Sequence, residues 1–357
     1  ELLGENSCSV RNCNLQVFSI GNENIVSGGF CPKGNAEGSE KPKPNYVEIY
    51  HKVFEKHFKR FGKLLRDVEE GDDTTIGIRR ATATLGPKGI WSSALLHALG
   101  FTPVITPESD HDVAKAGIEH SRTDFCIARK LATGHAMMLA QHPGVTYYFN
   151  PAFIKTQGKP DRKYCIYTES EPFLLNGELA LDKDHVLVPR FEFGDTTTLV
   201  DMLKREFSRL GCRFRARQLR DALSIADEAE KTFRSELYRV GDKFLEKVDG
   251  SIGYVGIGRD YVLLDPEASS NSGSMFSQVR GLHYIPQIYL KHRYEQIPIS
   301  RIASNEYWVQ SVDILQCQYF VSCTENLFPI RMMNFGCGPD SMKLYQEEKI
   351  QEAANKP

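Results

Sequence analysis

With 357 residues, 41% of them apolar and 25% charged, the chain has an ordinary globular composition and the length for two or three domains. A formal net charge of −2 and the lack of a Lys/Arg-rich block argue against a nucleic-acid partner, and no uncharged apolar run approaches bilayer length. Nine cysteines, an odd number, without a basic and apolar leader point to free or metal-bound thiols in a reducing compartment, with the cytoplasm as default.

The first 34 residues carry Cys8, Cys13 and Cys31. Between them Leu15–Ile20 alternates like a strand, Gly21–Asn24 reads as a turn and Ile25–Ser27 as the returning strand. A hairpin with cysteines at its open end suits a zinc or cluster clip. Zinc normally takes four protein ligands, however, so the same three residues read equally well as free thiols. A polar linker with Pro and Gly follows over residues 35–45. Tyr46–Val68 then shows a helical period, with Val47, Tyr50, Val53, Phe54, Phe58, Phe61 and Leu65 on one face.

Thr75–Ile78 begins an alternation of strands and helices. Ile90–Gly100 and Asp112–His120 read as helices, and Phe101–Thr106 and Val145–Phe149 as strands. After Cys126, Ile127, Leu131, Met138 and Leu139 recur at helical spacing. Such alternation predicts a parallel, doubly wound sheet, whose ligands sit outside the carboxyl ends of the strands. Asn150-Pro151 and Cys165 fall at that edge. Leu187–Pro189 reads as a further strand, and Asp195–Gly211 and Gln218–Asp249 as charged helices bridging two lobes. Arg213, Arg215, Arg217 and Arg220 make a basic patch that reads as a solvated helix end in preference to a phosphate or CoA contact.

Gly253–Asp260 opens the second lobe. Its glycines resemble a dinucleotide loop, but no helix is predicted directly after them and Asp265-Pro266 intervenes, so a nicotinamide site is rejected. Ser274–Gly281, Trp308–Cys323 and Ser341–Ala354 read as helices, and Tyr284–Pro286 and Pro329–Met333 as strands. The expected class is α/β: two doubly wound, Rossmann-like lobes (41–180 and 251–357), a helical bridge (181–250) and a small N-terminal cysteine-containing β-hairpin (1–40).

Cys212, Cys317 and Cys323 fall within helical patterns, where a small buried residue is the ordinary reading. Cys126, Cys165 and Cys337 differ, since each stands at a loop or helix start. Orphan amides and partial positive charge favour a thiolate there. Alone each is more often structural; together they predict a shared inorganic cluster, and three thiolates on a cubane leave one iron open. His135 and Glu169 are the nearest titratable groups in these motifs. Each reads as a proton donor to a leaving hydroxyl or, more ordinarily, as a helix cap or backbone partner.

Several stretches, in one order, resemble the iron–sulfur domain found with the 2-hydroxyacyl-CoA dehydratase activases. They are Cys8–Gly34 with Ser27–Gly34, Ile76–Ala81, Leu99–Phe101, Cys126–His135, Cys165–Pro172, Gly258–Tyr261 with Asp265-Pro266, and Asn334–Asp340. The resemblance covers nearly the whole chain. It implies a pair of α/β lobes with an oxygen-sensitive 4Fe–4S cluster held in the cleft by Cys126, Cys165 and Cys337, in an anaerobic setting. It also implies low-potential single electrons delivered by ATP-hydrolysing activase domains, fused or separate, and an acyl-CoA or other small substrate. No ATPase motif lies within the chain itself. The chain departs from the family at Ala128, where proline is usual, and ends short of an expected last strand and helix. The competing expectations are a non-catalytic scaffold or zinc-binding module docking the ATPase domains, and a CoA-dependent dehydratase acting alone.

Overall fold

The computed structural model describes residues 2–7, 14–20, 23–27 and 43–356, apart from 72–73, 122, 157–161, 280–281 and 299–305. Strands β1 (Leu2–Ser7), β2 (Asn14–Ile20) and β3 (Glu23–Ser27) pair antiparallel with β2 in the middle. Cys8, Cys13 and Cys31 lie outside the described residues.

Helix α1 (Tyr46–Phe58) starts where the Asn45 side chain accepts from the amides of Val47 and Glu48. It stops ten residues before the end of the periodic stretch. The chain leaves the helix to add β4 (Lys63–Leu64) to a sheet edge, so Leu64 and the following Leu65 are buried there and not on the helical face. With β5 (Thr75–Ile78), β6 (Thr102–Ile105), β7 (Tyr147–Phe149) and β9 (Val186–Leu187), β4 makes a five-stranded sheet in the order β4-β6-β5-β7-β9, parallel throughout. Every residue of β5 is buried, as befits a central strand covered on both faces. Helices α2 (Thr82–Leu85), α3 (Pro87–Ala98), α4 (His111–His120), α5 (Ile127–Ala140) and α6 (Ile166–Leu179) occupy its connections. Strands β8 (Ala152–Lys155) and β10 (Arg190–Glu192) form a separate parallel pair.

A second parallel sheet, in the order β12-β11-β13, comes from β11 (Gly253–Ile257), β12 (His283–Pro286) and β13 (Leu327–Arg331). The α/β class with parallel sheets therefore holds. One expectation fails here: a short helix, α9 (Asp260–Leu264), follows β11 directly. It is a single apolar turn, too short for a periodicity to reveal it.

Between these sheets in sequence lie α7 (Thr196–Arg209) and the 32-residue α8 (Ala216–Lys247). The face of α8 bearing Leu219, Leu223, Ala226, Phe233, Leu237 and Phe244 is buried and belongs to the hydrophobic cluster that also holds Ile76 and Ile78 of β5 and Val255 and Ile257 of β11. Both sheets thus share a continuous core. Burying each of the large side chains is worth roughly 1.5–3 kcal/mol. Arg213, Arg215, Arg217 and Arg220 are exposed near the start of α8, as the solvated reading requires. Cys317 is buried within a helix; Cys212, by contrast, lies in the α7–α8 loop and Cys323 is exposed at its helix end. Among the described residues no helix is long and apolar enough to cross a membrane.

In each sheet the chain crosses from one side of its first central strand to the other. It goes from β5 to β6 and then to β7 on the far side; it goes from β11 to β12 and then to β13 on the far side. Such a reversal opens a crevice at the carboxyl ends. The two carboxyl edges face each other, because α2, which follows β5, packs on α9, which follows β11.

Helix α8 comes close to the segment after β12 at Gly241, where an added Cβ would lie 2.2 Å from the Tyr289 carbonyl oxygen. Gly241→Ala must push α8 away from that segment and should cost about 1–3 kcal/mol. A urea-unfolding midpoint equal to that of the parent chain would show that the approach is looser than described.

Candidate active site

Cys126, Cys165 and Cys337 each occupy the N-cap position of a helix: α5, α6 and the single turn Gly338–Ser341. None closes a capping hydrogen bond of ordinary geometry through its sulfur, although the first-turn amides of Arg129 and Asp340 approach the Cys126 and Cys337 sulfurs. All three are half-buried. Cys165 lies near enough to both of the others to raise their pKa by its charge. Burial is the larger effect: it pushes the Cys126 and Cys337 thiols up, while the Arg259 cation and a first-turn amide of each helix work the other way. Thiols separated by up to 211 positions in sequence (126 to 337) are thus near enough to influence one another, with Cys165 acting on both of the others.

Buried ion pairs hold the helix starts in position. Arg79, just after β5, sits 3.4 Å from the Glu171 carboxylate on α6, and Thr82 Oγ1 donates to the same oxygen at 2.8 Å. Thr82 adopts φ +46°, a left-handed conformation costly for a β-branched residue and held here by the hydrogen bond to Glu171. On the same pair of helices, Arg129 of α5 donates to Glu178 of α6 at 2.8 Å, joined by Thr133. Arg79, Glu171 and Arg129 are almost fully buried, and Glu178 is 4% exposed at its side chain. Helix α5 is also pressed onto α4: a Cβ on Gly134 would meet the Val113 carbonyl oxygen at 2.1 Å. The glycine in the Cys126–His135 stretch is thus a packing requirement.

On the opposite edge Arg259 caps α9 and is 1% exposed. Its Nε donates to Asp340 Oδ1 at 2.8 Å and its Nη1 to Gln310 Oε1 at 2.6 Å. Asp340 belongs to the turn that Cys337 begins, so this pair fixes the third thiol. Arg79, Glu171, Arg259 and Asp340 all fall within the stretches that carry the family resemblance, but nothing in their local pattern marks which of them pair.

His135 lies on α5 but is fully buried. Its Nε2 is 2.9 Å from Ser109 Oγ, which in turn donates to Asp265 Oδ2, joining the loop after β6 to the end of α9. Burial, assisted by the Arg80 and Arg79 cations, pulls the His135 pKa down to about 3. Glu169, in contrast, is part-exposed in the first turn of α6, and partial burial raises its pKa, opposed by Lys163 and Arg190. Among the described residues no group of three or more His, Cys, Asp or Glu side chains is placed to hold a metal ion.

Two outcomes follow from this geometry. Glu178→Ala leaves the Arg129 guanidinium buried without its carboxylate and should cost about 3–5 kcal/mol in denaturant unfolding; a loss below about 1 kcal/mol would mean that the pair is not a tether. His135 is neutral when folded and takes a proton near pH 6.5 when unfolded, so its contribution to stability is lost as pH falls from there towards 3. The slope is about 1.4 kcal/mol per pH unit. His135→Asn should flatten the stability profile between pH 6 and 4 by that amount, and an unchanged slope would refute a neutral buried imidazole.

No curated protein and no solved structure gives a significant match to the chain. A family model described as the CoA enzyme activase uncharacterised domain matches residues 75–288, well over half of the chain, a stretch that includes Cys126, Cys165 and Arg259 but not Cys337. From that match, the chain belongs to the family of CoA enzyme activase uncharacterised domains.

Proposed function

We propose that the chain is the cluster-bearing part of an ATP-driven, low-potential electron-transfer system related to 2-hydroxyacyl-CoA dehydratase and its activase. In this reading Cys126, Cys165 and Cys337 hold a 4Fe–4S cluster. What supports it is that Cys126, Cys165 and Cys337 each stand at a helix start, with the buried Arg259 tied to the turn that Cys337 begins.

The residues present fit such a group. Ligands of one zinc ion, with Zn–S bonds of about 2.3 Å, must crowd within about 4 Å of each other. Thiolates on different irons of a cubane stand further apart, so mutual electrostatic influence without single-ion grouping is compatible with a cluster. When bound, a cluster with three thiolate ligands supplies one-electron transfer and one iron open to a further ligand. The chain's own residues do the rest. The Arg79–Glu171–Thr82 and Arg129–Glu178 contacts fix the α5 and α6 starts, so that Cys126 and Cys165 present their sulfurs without rearrangement. Glu169, part-exposed one turn beyond Cys165, is placed to hold a proton for a leaving hydroxyl, and His135 acts behind the site by joining α5 to Ser109 and Asp265. The electron donor in this reading is an ATP-hydrolysing activase domain, and the acceptor an acyl-CoA or similar small molecule.

Strictly anaerobic purification followed by iron and sulfide analysis tests this. About four of each per chain are expected, with a reduced-cubane EPR signal, and Cys126→Ser, Cys165→Ser or Cys337→Ser should each lower the iron content. Near-zero iron after anaerobic reconstitution would overturn the reading in favour of a scaffold domain, and zinc alone would favour a zinc module.

A further inference from the structure

We propose that Arg259 is a positioning residue for the group held by Cys126, Cys165 and Cys337: its Nη2 donates a hydrogen bond to a sulfur of that group and favours its one-electron reduction. This inference rests on the cluster reading and goes beyond it by naming the residue that sets the potential.

The guanidinium has five N–H donors in a rigid plane. Nε is taken by Asp340 at 2.8 Å, and Nη1 by Gln310 at 2.6 Å and the Tyr261 hydroxyl at 3.4 Å. Nη2 is buried and has no hydrogen-bond acceptor among the described residues. Native folds rarely leave a charged N–H in that state, because its desolvation is uncompensated. The other two nitrogens fix the plane, so the remaining donor has one direction and is not a flexible bystander. Cys337 and Cys165 are among the groups whose charge acts on Arg259, and Arg259 acts in turn on Cys126. Asp340, which accepts from Nε, belongs to the turn that Cys337 begins, so the unpartnered donor is on a guanidinium tied to that turn.

Among the described residues a single carboxylate, Asp340, answers Arg259 directly, and its other oxygen lies 3.8 Å from Arg331, so its charge is divided between two cations. One-electron reduction adds a negative charge to whatever the thiols hold. A buried cation with a free N–H stabilises that added charge, as hydrogen bonds to sulfur do generally. Lysine at 259 would keep the charge but lose the fork that aims it.

The test uses the full chain loaded with cluster anaerobically, with the midpoint potential read by EPR of electrochemically poised samples and with iron content measured in parallel. Arg259→Gln should shift the midpoint to more negative values and Asp340→Asn to less negative values, both with iron retained. Opposite signs are the mark of a charge acting on the cluster, since mere loosening of the fold would move both the same way. Shifts of the same sign, or none, in iron-loaded variants overturn the proposal. Should the buried substitutions fail to fold, Gln310→Glu adds a carboxylate to the Nη1 side at a part-exposed position. It should lower the midpoint, and a folded, iron-loaded Gln310→Glu with the parent potential also overturns the proposal. A parent chain that takes up no iron refutes instead the cluster reading itself, before any variant is compared.

Discussion

The structure depends on burying guanidinium groups opposite carboxylates at the carboxyl edges of two parallel sheets. Arg79 with Glu171, Arg129 with Glu178 and Arg259 with Asp340 all lie almost wholly out of water. Such pairs gain little stability over a well-packed apolar replacement, since desolvation offsets most of the attraction. Their effect is geometric. Each joins an element that carries a cysteine to a neighbour, and a charge that cannot be left unpaired in a low-dielectric interior permits few arrangements.

That constraint explains why the helix starts are placed as they are. In α6 the interior Pro172 lacks an amide for the turn before it, and the helix is held in spite of this by Glu171 on Arg79 and Thr82, and by Asn150, whose Nδ2 donates to the Pro172 carbonyl at 3.3 Å. In α5 the close contact with α4 at Gly134 holds the helix that Cys126 begins. The left-handed Thr82 is the strained point of the assembly, and it lies where the loop after β5 meets the cysteine-bearing helix. The strain persists there because the Arg79–Glu171 pair and the Thr82 hydrogen bond over-determine the backbone.

The same arrangement gives the proposed electron-transfer role a physical basis. A site that holds its ligands before any cofactor arrives loses little ordering entropy on loading, and reorganises little when charge changes. Ser109, His135 and Asp265 extend this rigidity from the α5 helix to the second sheet through neutral and charged hydrogen bonds. The shared apolar core, to which α8 contributes residues along its length, ties the two sheets together.

The sequence by itself determined the α/β class, since runs such as Thr75–Ile78 and the helical period after Cys126 have local physical causes. It also singled out Cys126, Cys165 and Cys337, because glycine, proline and helix-start patterns surround them. Elements shorter than a period escaped it: β4, β8, β10 and α9 are two to five residues long and exist only because neighbours pair with them or cover them. Helix α6 escaped for another reason, as an interior proline argues locally against a helix that tertiary contacts then impose. Tertiary structure alone decided which arginine meets which carboxylate, for a charged side chain in sequence carries no mark of the partner that will bury it. It likewise decided that His135, a proton donor or helix cap by motif, is fully buried against Ser109, because burial is a property of what packs around a residue and not of the residues beside it.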